Sequence, residues 1–261
     1  MKKSKSLIHF HIHLFDMIKS KNPFEATFEY HKKSSYSRIS KSNKNLPALL
    51  TKIHYKKYPR FISIKLSSAT PPKKSLEFIL NNRLSSRTFK RLYLDLNDLS
   101  TLLKYSSGLK YSKSDKQRRH YPSAGARYPL ETYVFINRVK NVKPGIYHYD
   151  VMNHKLELVL SGNFSRYLIE ITSQRWITDA SVVIVITAVF MRTQIKYGER
   201  GYRFVLLEAG HLAQNFSLVS TSLDLSSCTI GAFLDENLNK KLDIDSSGEY
   251  ALYLIAVGKN N

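Results

Sequence analysis

The sequence predicts an α+β protein, and three features of its hydrophobic pattern support that fold class. The apolar, β-branched run Ser181–Phe190 predicts a buried central strand. Within Tyr202–Leu223, apolar residues recur three to five positions apart, which predicts one buried stripe on a long helix. The other predicted strands are not separated by regular crossover helices, which favours α+β over a doubly wound sheet. The stripe consists of Phe204, Leu207, Leu212, Phe216, Val219 and Leu223.

The remaining elements are predicted from shorter apolar segments and from the residues that begin and end them. The predicted helices are Ser75–Asn82, Asp95–Tyr105 ended by Gly108, Asn163–Thr172 and a short helix from Asp235. The predicted strands are Thr132–Asn137, Gly145–Tyr149, Lys155–Leu160 and Tyr250–Val257. The segment Cys228–Phe233 is predicted to be a turn that leads from the long helix into the short one.

Composition limits the classes of protein that the chain fits. Its 261 residues and hydrophobic fraction of 43% are enough for a sizeable core. The single cysteine, Cys228, cannot form an internal disulfide and is expected to fill the core, so we expect a cytoplasmic protein. No apolar run is long enough to span a membrane. The net charge of +21 comes from lysines spread along the chain, so we expect no nucleic-acid partner.

The first 70 residues are rich in Lys, Ser and His and differ from the rest of the chain. Pro71-Pro72 interrupts regular structure, so residues 1–70 are predicted to be a basic extension and 71–261 the main domain. The extension would suit docking of a partner or an acidic peptide. His9, His11 and His13 would share one face of a strand and suit Zn or Ni, but no further ligand completes the set. A helix would also spread them apart, so we expect no metal site.

Arg83, Ser85 and Arg87 alternate along one short segment and point the same way if that segment is extended. Guanidinium groups form forked, charge-assisted hydrogen bonds with phosphate, and the serine hydroxyl adds a neutral donor. The pattern therefore indicates a phosphate site, although an ordinary basic surface turn has the same composition.

The loop Tyr121–Pro129 combines small residues with two prolines. Small residues let the backbone approach a flat ligand, and proline stiffens the loop. A cofactor-binding loop and an ordinary tight connection into the strand at Thr132 are both consistent with this pattern.

Several segments resemble, in the right order, the SagB-type dehydrogenases, an azoline-oxidising branch of the FMN-dependent nitroreductase superfamily. They are RHYPSAGARYPLETYVFINRV, PGIYHYD, GYRFVLLEAGHLAQN, TIGAF and ALYLIAVGK, within Leu76–Lys259. The resemblance implies a nitroreductase-like fold, with a central mixed or antiparallel sheet flanked by helices, preceded here by an N-terminal extension. It also implies that residues 71–261 bind FMN, and that the flavin lies at the interface of a homodimer.

The resemblance further implies which residues contact FMN. Those that match the phosphate-binding positions are Arg83, Ser85, Arg87 and Lys259. Those that would pass along the isoalloxazine ring are Pro122, Ser123, Ala124 and Gly125, while the backbone of Gly231 and Ala232 would lie near it. Gln214 and Asn215, on the long helix, would contact either the flavin or the partner subunit.

The segment QIKYGERGYR resembles the region that carries a Lys–Tyr pair in the azoline-oxidising branch, and Lys196 and Tyr197 match that pair. Aromatising an azoline removes a proton from one ring carbon and a hydride from its neighbour, so a base is required beside the flavin. A nearby ammonium group favours the phenolate that such a base requires. The alternative is that both are surface residues on a turn.

The resemblance thus implies an FMN-dependent oxidoreductase that converts thiazolines or oxazolines to thiazoles or oxazoles in a ribosomally made peptide. A separate cyclodehydratase and the precursor peptide would be its partners. A general nitro or quinone reductase using NAD(P)H has the same fold, and a flavin-free scaffold subunit of a peptide-modifying complex is a third alternative. His120 and His211 lie within the matching segments, where packing as neutral side chains is favoured over a role at the flavin.

Overall fold

The computed structural model of the 261-residue chain describes residues 25–36, 55–110 and 118–260. The predictions for His9, His11 and His13 therefore fall outside the described residues. The chain divides into two compact units, Met1–Lys41 and Ser42–Asn261. In the first unit, helix α1 spans Glu25–Lys33 and ends with an ion pair in which Lys33 Nζ lies 2.8 Å from Glu29 Oε1.

In the second unit, the described strands form one sheet. β1 spans Ser63–Lys65, β2 Leu130–Ile136, β3 Gly145–Asp150, β4 Lys155–Ser161, β5 Val182–Val189, β6 Leu225–Ile230 and β7 Glu249–Lys259. Their order is β1-β4-β3-β2-β5-β7-β6, and each neighbouring pair is antiparallel. The predicted α+β fold is confirmed, and the sheet is antiparallel rather than mixed.

Helices cover both faces of this sheet. α2 spans Leu76–Asn82, α3 Leu96–Ser107, α4 Ser165–Thr172, α5 Met191–Tyr197, α6 Arg200–Ser222 and α7 Asp235–Lys241. Ser75 caps α2 by accepting a hydrogen bond from the Phe78 amide at 3.1 Å, and Gly108 ends α3 as predicted. None of the described helices combines the length and the apolar character needed to cross a bilayer.

Each face of the sheet buries its own apolar cluster, because successive side chains of a strand point to opposite faces. Helices α3 and α6 cover one face, where Val134, Ile184 and Ile255 are fully buried. Helices α4 and α7 cover the other face, where Phe135 and Leu254 are fully buried. Strand β5 lies between β2 and β7 and is buried on both faces, which explains its uninterrupted apolar sequence.

The prediction of a turn at Cys228–Phe233 is wrong for the first half of the segment. Its first half, Cys228–Ile230, belongs to β6, which pairs with β7 along its whole length. Ser226 and Ser227 break the apolar pattern of β6, and the strand lies at the edge of the sheet, so its sequence lacks the signature of a buried strand. Cys228 itself is buried, as predicted.

The predicted apolar stripe of α6 is correct in part. Leu212, Phe216 and Val219 are buried against the sheet, but Leu207 is 62% exposed. The helix instead buries small residues, including Ala209 and Ala213, which let it approach its neighbours closely. The stripe prediction fails here because small residues contribute little to an apolar pattern.

Part of the predicted extension is built into the sheet. Lys56 Nζ donates hydrogen bonds to the Tyr133 hydroxyl and to Glu249 Oε2, both at 2.7 Å. The Tyr58 amide donates to Glu157 Oε2 at 2.9 Å, and β1 then pairs with β4. These contacts fix this segment against the sheet, while a docking role for the extension remains a prediction.

Candidate active site

The PSAG loop, residues 122–128, precedes β2 and has a strained backbone. It contains a short 3-10 helix, and Gly125 (φ 61°), Ala126 (φ 54°) and Tyr128 (φ 47°) adopt left-handed conformations. A left-handed residue other than glycine costs about 1–2 kcal/mol, so surrounding contacts must hold this loop in place. The Tyr128 amide donates to Ser123 Oγ at 2.8 Å and closes the loop.

Lys196 and Tyr197 contact the PSAG loop at Gly125. A Cβ atom added to Gly125 would lie 2.6 Å from Tyr197 Oη and 2.9 Å from Lys196 Nζ. Lys196 Nζ also lies 5.4 Å from the centre of the Tyr197 ring. Both residues belong to the last turn of α5 and are half-buried. The structure thus brings together two predicted segments that are far apart in the chain, and glycine leaves room for both side chains.

Two arginines fasten α5 to the PSAG loop. Arg127 Nε donates to the Arg192 carbonyl oxygen at 2.6 Å, and Arg192 Nη1 donates to the Tyr128 carbonyl oxygen at 3.3 Å. Arg192 Nη1 also lies 2.5 Å from Glu131 Oε1 on β2. Each arginine binds the backbone of the opposite segment, so α5 has a defined position over the loop. No local sequence pattern distinguishes these arginines from the many other basic residues.

Glu131 belongs to a buried ion network that joins β2, β3 and β4. His148 Nε2 lies 3.3 Å from Glu131 Oε2, and His148 Nδ1 lies 3.1 Å from Glu157 Oε2. Burial opposes the ionisation of Glu131, but His148 and Arg192 hold the pKa of Glu131 at about 2. Burial also opposes the ionisation of Glu157, but His148 and Lys155 hold the pKa of Glu157 at about 2. Burial would lower the pKa of His148, but both carboxylates raise it above its usual value.

Two buried charged side chains, Arg119 and Glu208, lie next to the PSAG loop, and each is 2% exposed. Arg119 Nη1 donates to the Tyr121 hydroxyl and to the Leu130 carbonyl oxygen, both at 3.1 Å. Glu208 faces the loop from α6. Both residues lie within the segments that carry the family resemblance, but their burial is not visible in the sequence.

The predicted phosphate-binding segment runs beside the ends of β6 and β7. The Ser86 amide donates to the Ser227 carbonyl oxygen at 3.0 Å, which places Ser85 beside β6. The Lys90 amide donates to the Lys259 carbonyl oxygen at 3.1 Å. These bonds bring Lys259, the last residue of β7, to the same edge of the sheet as the predicted segment.

The cations at this edge differ in their partners. Across residues 25–36, 55–110 and 118–260, neither Arg83 nor Arg87 forms an ion pair. Lys259 Nζ, by contrast, lies 3.0 Å from Asp98 Oδ2 on α3. Within the part of the chain that the structure describes, the two arginines therefore have no ion-pair partner and could bind an anion, whereas Lys259 would have to share its charge with Asp98.

The other predicted flavin contacts lie on the surface. Gly231 and Ala232 are exposed immediately after β6, and the nearest atom to a Cβ added at Gly231 would be 3.8 Å away. Gln214 is exposed on α6. The side chain of its neighbour Asn215 instead donates to two backbone carbonyl oxygens, at 3.3 and 3.4 Å, and so joins α6 to adjacent segments.

The two histidines of the matching segments have different environments. His120 packs against Tyr105 with ring centres 5.3 Å apart. Its burial, together with Lys110 and Lys104, lowers the pKa of His120 to about 4, which favours the neutral form. His211 is exposed on α6, and the prediction that it is packed is wrong.

The described residues fit FMN at two positions. Arg83, Ser85 and Arg87 provide cations and a hydroxyl group at one edge of the sheet, as a phosphate requires. At the PSAG loop, Gly125 presents an exposed backbone without a Cβ atom, which suits a flat ring, and Tyr197 lies next to it. A basic segment and a small-residue loop are features that an FMN site would need.

Comparison with known proteins agrees with the fold and the site. The sequence profile of the Nitroreductase family matches residues 80–259, and the chain belongs to this family of oxidoreductases. A protein of Methanocaldococcus jannaschii that bears a provisional nitroreductase name is 37% identical over 185 residues, which are 70% of this chain and 90% of that protein. The microcin B17-processing protein McbC of Escherichia coli is 28% identical over 179 residues, which are 65% of this chain and 60% of McbC. The match thus spans less than two thirds of McbC.

Solved structures show the same fold. A nitroreductase-type protein of Anabaena variabilis superposes with a TM-score of 0.71 at 24% identity, covering 89% of this chain and 47% of that chain. A chain of the Escherichia coli microcin synthetase complex McbBCD, solved with truncated pro-MccB17 bound, superposes with a TM-score of 0.59 at 21% identity. That match covers 91% of this chain and 93% of that chain.

Proposed function

We propose that this protein is an FMN-dependent dehydrogenase that oxidises thiazoline or oxazoline rings of a ribosomally made peptide to thiazoles or oxazoles. One observation carries the proposal: Tyr197 Oη and Lys196 Nζ both lie against Gly125 of the PSAG loop. A potential base and a cation are therefore placed beside the loop expected to face the flavin ring. The similarity to McbC, whose name describes processing of a peptide, agrees with this substrate class.

The cofactor would be held at both ends. Arg83, Ser85 and Arg87 would bind its phosphate, with Lys259 sharing its charge between that phosphate and Asp98. The ring would lie along Pro122, Ser123, Ala124 and Gly125, near the exposed backbone of Gly231 and Ala232, with Gln214 at its edge. Bound FMN would supply the acceptor for the hydride that leaves the azoline ring.

The protein's own contribution to the reaction is proton removal. Oxidation of an azoline releases one proton and one hydride from adjacent ring carbons, which leaves an aromatic ring with one more double bond. Tyr197 would take the proton on its phenolate oxygen, and the Lys196 ammonium lies beside it, 5.4 Å from the centre of its ring. Arg127 and Arg192 would keep α5 in position, so that the base stays over the loop.

The proposed partners are a second copy of the chain, a cyclodehydratase and the precursor peptide. The outer face of α6 exposes Leu206 (44%) and Leu207 (62%), which suits a contact between two subunits. A cyclodehydratase must form the azoline before this chain can oxidise it. The structural similarity to a chain of the peptide-bound microcin synthetase complex is the ground for including both other partners.

A second candidate function is reduction of nitro compounds or quinones with NAD(P)H. The provisional nitroreductase name of the Methanocaldococcus jannaschii relative favours it, since fold and reaction are separable within one family. The two functions differ in the source of electrons. A reductase takes them from NAD(P)H, whereas the dehydrogenase takes them from the peptide and passes them to an acceptor.

The deciding experiment mixes the FMN-loaded protein with an azoline-containing peptide under anaerobic conditions. We expect the flavin absorbance to bleach and the peptide to lose two hydrogens per ring, as seen by mass spectrometry. Steady NAD(P)H oxidation with a nitro compound, without any change in the peptide, would overturn the proposal in favour of a reductase.

A further inference from the structure

Glu131 lies at the joint between the PSAG loop and α5, and the function proposed above gives it no role. Its side chain is buried, and its two carboxylate oxygens face different partners. Oε1 lies 2.5 Å from Arg192 Nη1 on α5, and Oε2 lies 3.3 Å from His148 Nε2 on β3. One carboxylate therefore joins α5 to the interior of the sheet.

Arg192 depends on this carboxylate to keep its position. The Arg192 side chain is only 11% exposed, and among the described residues its ion-pair partner is Glu131. A guanidinium group buried to this extent without a carboxylate costs free energy, so without Glu131 the Arg192 side chain would turn towards solvent. That movement would also break its 3.3 Å hydrogen bond to the Tyr128 carbonyl oxygen, which joins α5 to the PSAG loop.

Helix α5 connects Arg192 to the candidate catalytic residues. The helix has seven residues, with Arg192 near its beginning and Lys196 and Tyr197 in its last turn. A helix of about two turns is held together by its own backbone hydrogen bonds and moves as one body. Since Tyr197 Oη lies against Gly125, a shift of Arg192 would move Tyr197 away from the loop.

We propose that Glu131 is a positioning residue, whose carboxylate fixes Arg192 and thereby keeps Tyr197 against Gly125. The effect of this placement on azoline oxidation rests on the function proposed above. The contact between Glu131 and Arg192 does not, because it involves only groups of this chain.

Glu157 provides the matched control, because it contacts the same histidine from the other side. Its Oε2 lies 3.1 Å from His148 Nδ1, and its other partners, Lys155 and the Tyr58 amide, do not belong to α5. Replacing either glutamate by Gln removes one buried charge from the same ion network. Only Glu131→Gln removes the charge that holds α5, so a purely structural role for Glu131 predicts the same result for both variants.

The first test is hydrogen exchange of the α5 amides, measured at pH 7 on the full-length protein without FMN. The amides of α4, on the face of the sheet away from α6, report any general loss of stability. We expect Glu131→Gln to raise the ratio of α5 exchange to α4 exchange about 10-fold, while Glu157→Gln leaves this ratio unchanged. A ratio in Glu131→Gln no higher than in Glu157→Gln would overturn the proposal.

Arg192→Gln removes the same contact from the other side and serves as the test if Glu131→Gln does not fold. It should raise the α5 to α4 ratio at least as much as Glu131→Gln, and an unchanged ratio would contradict the proposal. Because Glu131 acts through Arg192, the double variant should exceed Arg192→Gln by no more than about 2-fold. Full multiplication of the two single effects would mean that Glu131 acts by another route.

Kinetics separate this inference from the proposed function. With a saturating azoline peptide, FMN-loaded Glu131→Gln should bleach its flavin about 10–100-fold more slowly than Glu157→Gln, because a base misplaced by about 1 Å can lose this much rate. Equal bleaching rates in the two variants would count against a positioning role. If the wild type oxidises no azoline, the proposed function is wrong, while the exchange experiments still decide the role of Glu131.

Discussion

Gly125 shows how much of the candidate site depends on a single residue. Its φ of 61° lies in the left-handed region, and a Cβ atom there would lie 2.6 Å from Tyr197 Oη. Two independent constraints, backbone conformation and space, therefore require glycine at this position. The same contact defines where Tyr197 stands relative to the loop, so substitutions at either residue should be informative.

Replacing Tyr197 by Phe should leave FMN bound but reduce azoline oxidation by about 10²–10⁴-fold, the usual effect of losing a general base. The ring packs edge-on against Phe204 at 5.1 Å, and this packing survives the substitution. The measurement is the rate of flavin bleaching after rapid mixing with an azoline peptide. Tyr250→Phe, at an exposed tyrosine, is the matched control. Bleaching at the wild-type rate from pH 6 to 9 would show that Tyr197 is not the base.

Replacing Gly125 by Ala should weaken FMN binding and slow the reaction, because the new methyl group meets both Tyr197 Oη and Lys196 Nζ. The backbone strain adds about 1–2 kcal/mol. Combining Gly125→Ala with Tyr197→Phe removes one of the clashing atoms and should recover part of the melting temperature, though not the activity. Melting curves of the two variants check this, and an unchanged single variant would contradict the contact.

At the scale of elements, the segment that includes Arg83 and Arg87 is positioned by the ends of two strands. Backbone hydrogen bonds to Ser227 on β6 and Lys259 on β7 anchor it, so its side chains need not hold the chain in place. Among the described residues, neither guanidinium group has an ion-pair partner, so both could bind a ligand. Removing them should therefore affect binding more than folding.

The double variant Arg83→Ala/Arg87→Ala should bind FMN at least about 100-fold more weakly, since each charge-assisted bond contributes about 1.5–3 kcal/mol. Arg91→Ala is the matched control, because Arg91 is an arginine in an exposed ion pair with Asp179. Flavin fluorescence titration of the apoprotein measures the change. Retention of stoichiometric FMN by the double variant would contradict the phosphate assignment.

The two faces of helix α6 have different surroundings. Its inner face packs against the sheet and carries Glu208 towards the PSAG loop, while its outer face exposes Leu206 and Leu207. We expect a double Leu206→Glu/Leu207→Glu variant to be a monomer while the wild type is a dimer. Light scattering at micromolar concentration checks this, with Leu92→Glu as the control at another exposed leucine. A monomeric, flavin-loaded wild type would contradict the proposed dimer.

At the scale of the whole molecule, the buried ion network joins three neighbouring strands. Glu131, His148 and Glu157 lie on β2, β3 and β4, and Arg192 joins them to α5. The network therefore links the stability of the sheet to the position of the candidate catalytic helix. Its charges should make the stability of the protein depend on pH.

Acid should destabilise the protein through these carboxylates. In the folded state the pKa of Glu131 and of Glu157 is about 2, below the ordinary value of 4.5, so their stabilisation is present above pH 4.5 and is lost as pH falls towards 2. His148, whose pKa is raised, contributes fully below 6.5 and less as pH rises through its folded value. Urea unfolding should show a loss of about 3 kcal/mol between pH 6 and pH 3.

Glu157→Gln tests which residues cause this dependence. The variant should be less stable than the wild type at pH 6 and should lose less stability on acidification, since one of the two shifted carboxylates is gone. Glu170→Gln, at an exposed carboxylate, should behave as the wild type. An unchanged acid dependence in Glu157→Gln would assign the effect to other groups.

The sequence by itself determined the elements whose side chains follow a strong local period. β5 is buried on both faces, and the α6 pattern is correct at Leu212, Phe216 and Val219, so each element is visible in a short window. The phosphate segment and the PSAG loop were singled out mainly by the family resemblance, because ordinary surface turns have the same residue types. β6 escaped detection, since Ser226 and Ser227 carry no such period and pairing at a sheet edge is decided by β7.

Only the tertiary structure decided how the site is assembled. Tyr197 and Gly125 are distant in the chain, and they meet because Arg127 and Arg192 join α5 to the loop. The burial of Glu208 next to that loop likewise follows from the packing of α6. The physical reason is that period and composition report on neighbours in the chain, whereas burial and hydrogen-bond partners depend on segments brought together by folding.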